Sequence, residues 1–168
     1  ETPTESGARS LLLKFSLIKK LSTILLTIPY KKVKIDGFDF VDLGGIGYFI
    51  QPRKASPFVA INEFEKFRKK FEKSLNRNAW GVVFYEDNLI WPVVYVKDSQ
   101  GKTLEKRLEM ACGSGSLAYS LVSSKEKIIQ PSGKMIRIKK KNNQFLISGK
   151  VKIISKSFVI LGSEATPE

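Results

Sequence analysis

The 168-residue chain carries 29 Lys and Arg against 16 Asp and Glu, one cysteine and no histidine. Those counts exclude a Ser-His or Cys-His catalytic pair, a His-bearing zinc site and an intrachain disulfide. Hydrophobic residues at 42% with 27% charged are those of a folded domain rather than a disordered chain, and the length suits one domain or one with part of another. The formal charge of +13 is spread evenly: the halves divided after residue 84 hold 15 basic with 8 acidic and 14 basic with 8 acidic residues. A diffuse positive field attracts anions without specificity and suits a generally basic surface.

Ala8, Leu11, Leu12, Phe15 and Ile18 recur at helical spacing, so a helix is expected from Gly7 to about Leu21, capped by Ser6. Strands are expected over Ser22–Ile28, Lys31–Asp36, Phe38–Leu43 and Tyr48–Gln51, the last two flanking Gly44-Gly45-Ile46-Gly47. Three glycines in four positions point to positive φ or close backbone approach. Pro52–Pro57 reads as a loop, after which Asn62 opens a second helix with Glu65 completing a capping-box pair. Phe64, Phe67, Phe71 and Leu75 form its apolar stripe, while Lys66, Arg68, Lys69, Lys70 and Lys73 fall on a solvated face.

Ala79–Tyr85 and Leu89–Val96 form a hairpin about Glu86-Asp87-Asn88, followed by a strand over Thr103–Glu109. Ala111-Cys112-Gly113-Ser114-Gly115-Ser116 then leads into a short helix, Leu117–Ser123. Strands near Lys127–Gln130, Lys134–Lys139, Gln144–Ile154 and Phe158–Leu161 end the chain, with turns at Pro131-Ser132-Gly133 and Lys141-Asn142-Asn143. The sum is a strand-rich α+β chain with three helices. Leu21–Ile28 is far too short for a membrane span. Glu1-Thr2-Pro3-Thr4 has no initiator Met and resembles no signal peptide, so the chain is expected to start partway into a longer protein, while the single thiol suits a reduced, cytoplasmic setting.

Chemistry concentrates at Cys112. The first N–H groups of a helix have no internal partner, and with the helix dipole they suit a carboxylate. The same field favours a thiolate, which predicts a lowered Cys112 pKa and a base or nucleophile. The spacing equally suits a buried structural cysteine beside a tight turn.

Glu109-Met110-Ala111-Cys112-Gly113-Ser114-Gly115-Ser116 resembles the second cysteine motif of the diaminopimelate epimerase superfamily of cofactor-independent amino-acid racemases and epimerases. Its nearest form is that of the histidine racemases of opine-metallophore pathways. Trp80-Gly81-Val82-Val83-Phe84 and Trp91-Pro92-Val93-Val94-Tyr95-Val96 precede the motif as the resemblance requires, and Gln130-Pro131-Ser132-Gly133 resembles the family's turn after it. The resemblance runs from about residue 40 to 162. It implies lobes in which strands wrap around a central helix: a remnant of a first lobe over 1–40, a second lobe over 41–156, and a return strand and tail over 157–168.

It further implies proton removal and return at an amino-acid Cα by thiols on opposite faces, without pyridoxal phosphate or metal. Cys112 is the implied base/acid, Gly113, Ser114, Gly115 and Ser116 the carboxylate cradle, and Glu109 an ammonium ligand. Asn78 lies near the family's substrate-binding loop. Thr4, in Thr4-Glu5-Ser6-Gly7-Ala8-Arg9, stands where the first lobe's cysteine belongs. Gly45 and Gly47 stand where the family's Asn and His grip the substrate. The implied partners are a small amino-acid substrate and either a further lobe or a second copy. One thiol also suits a hydroxyproline-dehydratase-like enzyme or a noncatalytic lobe. From another class, a basic nucleic-acid-binding module would use surface aromatics beside runs such as Lys139-Lys140-Lys141.

Overall fold

A computed structural model describes residues 12–16 and 21–150. Their elements are β1 (Leu12–Ser16), β2 (Leu21–Leu26), β3 (Lys31–Ile35), β4 (Phe38–Asp42), β5 (Gly47–Pro52), α1 (Pro57–Leu75), β6 (Ala79–Glu86), β7 (Leu89–Lys97), β8 (Thr103–Leu108), α2 (Gly113–Ser123), β9 (Lys127–Ile129), β10 (Met135–Lys141) and β11 (Gln144–Lys150). All the strands join one mixed sheet in the order β1-β2-β11-β10-β9-β7-β6-β5-β4-β3, with β8 pairing β7 beside that path. The architecture is α+β, with two helices among the described residues.

The sheet is buried on both faces at its centre, and its alternation sorts side chains between two cores. Phe40, Phe49, Trp80, Val82, Phe84, Trp91, Val93 and Tyr95 pack with Phe64 and Phe71 of α1. Their intervening neighbours Val41, Tyr48, Ile50, Val83, Ile90 and Val94 pack with Leu117, Ala118 and Tyr119 of α2. Burial on both faces explains why β6 and β7 read as nearly continuous apolar runs. Phe49, Phe67 and Phe71 lie within 4.6–5.8 Å of one another between centroids, and the fully buried Phe49 and Phe71 rings contribute roughly 1.5–3 kcal/mol each. Helix α2 touches β4 and β5 on one side and β10 on the other, strands separated by β6, β7 and β9. The sheet therefore curls around α2.

Three expectations need correction. Leu12–Ser16 is a strand, antiparallel to β2 from Leu12↔Leu25 to Ser16↔Leu21, and not part of a helix. Pairing through β2 to β11 outweighs a short helical spacing. Helix α1 begins at Pro57 rather than Asn62: Ser56 caps it by accepting the Val59 N–H, and Pro57 occupies the first turn, where no N–H is needed. Glu65 instead accepts from Arg68 and Lys106. Helix α2 begins at Gly113 rather than Leu117, so Gly-Ser-Gly-Ser is its first turn and not its approach. The strand expected at Phe158–Leu161, residues 151–154 and the third helix's remaining residues lie outside the described residues. Among the described residues no helix is long and apolar enough to cross a membrane.

Candidate functional site

The site is built where β8 ends and α2 begins. Glu109 N–H donates to the Pro92 carbonyl (2.9 Å), tying this segment to β7. Cys112, in extended backbone at φ −125° and ψ 107°, is the N-cap of α2, and its Sγ accepts the Gly115 N–H at 3.2 Å. A thiol thus does what a Ser or Thr hydroxyl does at other helix starts. The Ser116 N–H closes on the Cys112 carbonyl at 3.1 Å. Two of the four predicted cradle residues therefore spend their amides on Cys112. The Gly113 and Ser114 N–H groups keep no protein acceptor among the described residues, and a Cβ on Gly113 would meet open space. Of the four expected cradle residues, only Gly113 and Ser114 would have amides to offer a carboxylate.

Gly115 has little room for a side chain. A Cβ there would stand 3.0 Å from the Cys112 Sγ, 3.2 Å from Pro92 Cβ and 3.4 Å from Val83 Cγ2. Around the thiol, the Tyr48 Oη and the Ser114 Oγ each lie 3.6 Å from Sγ and 2.9 Å from each other. Tyr48, fully buried in β5, is the site residue that the sequence reading misses. Its register partner across the parallel β5–β6 pair is Gly81. A Cβ on Gly81 would meet the Tyr48 ring at 2.8 Å and the Val93 carbonyl at 2.4 Å. A lone glycine within the apolar run of β6 was the available signal, since a strand glycine marks close approach.

The predicted lowering of the Cys112 pKa is reversed. Cys112 is 2% exposed, and burial first, then the neighbouring Glu109, push its thiol up to about 11, against the opposing pull of the Ser114 hydroxyl and the Gly115 N–H. The helix end does favour the thiolate, but desolvation and a like charge outweigh it. Burial likewise raises Tyr48, with the Cys112 charge second. At neutral pH the thiol is an S–H, poised to give a proton. Glu109 is partly buried and lies 3.4 Å from Arg107.

Gly45 and Asn78 make their contacts elsewhere. Gly45 lies exposed at the tip of the β4–β5 turn, where Leu43 N–H meets the Ile46 carbonyl at 2.9 Å. That turn is held by Asp42, which accepts the Gly44 N–H at 2.8 Å and both Arg77 guanidinium nitrogens at 2.6 and 2.8 Å. Asn78 is exposed, and its carbonyl accepts the Lys97 N–H at 2.7 Å. Among the described residues no hydrogen bond joins Gly45 or Asn78 to Cys112, Ser114 or Glu109. Thr4 lies outside the described residues. No three metal-ligating side chains gather among the described residues.

No protein-family model matches the chain. It is similar to histidine racemases of Fusobacterium nucleatum subsp. nucleatum. One, from strain ATCC 25586, is 29% identical over 143 residues, covering 80% of this chain and 53% of the relative. The other, from strain ATCC 23726, is 28% identical over 142 residues with the same coverage. The chain thus spans about half the length of the curated relatives it matches. Among solved structures, a Clostridium difficile (strain 630) chain described as a PhzC/PhzF-type phenazine biosynthesis protein aligns with a TM-score of 0.47. The alignment has 14% identity and covers 84% of this chain and 59% of that one.

Proposed function

We propose that this chain supplies one half of the active site of a cofactor-independent amino-acid racemase or epimerase, with Cys112 as the acid/base thiol. The observation that carries the reading is the thiol-capped helix start: Sγ sits beside two amides with no protein acceptor among the described residues, in a segment alignable to histidine racemases. A substrate carboxylate takes the Gly113 and Ser114 N–H groups, which also stabilise charge developing toward the carboxylate as the Cα proton leaves. The Glu109 carboxylate takes the substrate ammonium. Pairing there offsets the charge that raises the thiol, so the substrate itself eases Cys112 toward the thiolate it needs as a base. As acid, the neutral thiol returns a proton to the carbanion on the face it addresses.

Inversion requires a second acid/base on the opposite face, and this sequence has no second cysteine. In this reading that group comes from a further lobe or a second copy, and Thr4 is its candidate within this chain. The test is Cα–H exchange in deuterated water with a panel of free amino acids, histidine included. Deuterium entering at Cα, and falling at least a thousand-fold in Cys112→Ala, is the expected result. Exchange with no amino acid, or equal exchange in the variant, overturns the catalytic role.

A further inference from the structure

Cys112 is held by more than its helix. Its N–H donates to Gln130 Oε1 at 2.9 Å, Gln130 Nε2 donates to Ser116 Oγ at 2.9 Å, and Ser116 Oγ donates to the Cys112 carbonyl at 2.6 Å. The three bonds close a ring through both polar atoms of the Cys112 backbone. Cys112 is 2% exposed, and Gln130 and Ser116 are fully buried. The direction of the ring is settled by chemistry: the Cys112 N–H can only donate, so the amide oxygen faces it. The amide nitrogen then faces Ser116, whose remaining proton goes to the carbonyl. The Ile128 carbonyl, 3.5 Å from Nε2, agrees with that orientation.

Gln130 is itself fixed. Its N–H donates to the Lys134 carbonyl and its carbonyl accepts from the Gly133 N–H, both at 2.8 Å, while the Ser132 N–H reaches the Met110 carbonyl at 3.2 Å. The Gln130-Pro131-Ser132-Gly133 turn therefore grips the strand-to-helix entry at two points. A buried polar ring in which every member is satisfied defines one geometry, because any rotation leaves a desolvated group unpaired. We propose that Gln130 and Ser116 are positioning residues for the Cys112 thiol: their ring fixes Sγ against the Gly115 N–H and, with it, the aim of the Gly113 and Ser114 amides.

The interest of this role rests on Cys112 being the working thiol. The test reads the thiol directly, so it stands or falls apart from catalysis. With one cysteine in the sequence, every reaction of the chain with a pyridyl disulfide reports Cys112. Such a probe keeps its reactivity toward thiols in acid. Ser116→Ala breaks the ring at all pH values and is expected to speed the reaction at least ten-fold over the parent at both pH 5 and pH 9. In Gln130→Glu the neutral carboxyl reproduces the ring, its C=O accepting and its O–H donating, whereas the carboxylate cannot donate to Ser116. That variant should react like the parent at pH 5 and at least ten-fold faster at pH 9. Ile138→Val, elsewhere in the α2-side core, controls for a general loss of stability. A Ser116→Ala rate no faster than the parent or the Ile138→Val control overturns the proposal. So does a Gln130→Glu variant that is equally fast at both pH values.

Discussion

Cys112 should report its surroundings through its titration. An ordinary cysteine thiol ionises near pH 8.5, whereas this one is pushed up to about 11 by burial and then by Glu109. At pH 8.5 about half of a free thiol is ionised, against about one part in 300 here, a preference of about 3 kcal/mol for the neutral form. The folded protein therefore keeps a proton that the unfolded chain gives up. This contribution is fully present below pH 8.5 and is lost as the pH rises toward 11. Urea unfolding of the parent and of Cys112→Ser from pH 8 to 11 isolates it. The parent should lose about 3 kcal/mol more than the variant across that window. In Glu109→Gln the like charge is gone and burial remains, so thiolate absorbance should appear at lower pH than in the parent, yet above 8.5. A parent thiol titrating near 8.5, or a Glu109→Gln titration coincident with the parent's, would refute the account of what sets this pKa.

Two further substitutions probe the supports of the site. Gly81→Ala forces a Cβ to within 2.4 Å of the Val93 carbonyl and 2.8 Å of the Tyr48 ring, and neither a strand backbone nor a fully buried ring can yield cheaply. It should cost about 3 kcal/mol in denaturant unfolding and change the near-ultraviolet tyrosine signal; a cost under about 1 kcal/mol would mean that β5 and β6 adjust freely. Arg77→Met removes the forked ion pair that holds Asp42 below the usual carboxylate range. Because a lowered carboxyl stabilises above its unfolded pKa and loses that contribution as the pH falls, the variant should cost about 1 kcal/mol at pH 7 and less near pH 3. A cost that does not shrink in acid would contradict the pairing.

Much of the sheet was legible because its strands are buried on two faces and bounded by plain turns. The hairpin at Asp87-Asn88 and the β3–β4 turn at Asp36-Gly37 carry their left-handed residues openly. What failed was local signal without context. The Leu12–Ser16 segment follows a helical spacing as well as a strand one, and only the partners supplied by β2 and β11 decide between them. At the start of α1, Asn62 and Glu65 make a convincing capping pair in sequence, whereas Ser56-Pro57 makes the cap used. At the site, the motif pointed to Cys112 and to the helix start. It could not show that two of the four amides close on Cys112 itself, nor that Tyr48, 64 residues earlier, stands over the thiol.

The sign of the pKa shift carries the largest lesson for function. A helix start acts on a thiol through a few N–H dipoles, and here one of them, from Gly115, reaches Sγ directly. Burial acts on the whole charge of the thiolate, and with Cys112 2% exposed it prevails. A thiol kept neutral in this way is matched to donating a proton, and it becomes a base only when something offsets Glu109 and the lost water. In the proposed reading a free amino acid would bring such a group in its ammonium, with its carboxylate on the Gly113 and Ser114 amides, which have no acceptor among the described residues. The groups that would bind an amino acid there are then the same ones that would switch Cys112 from acid to base. That coupling explains how one buried thiol could act in both directions of a proton exchange without a histidine beside it.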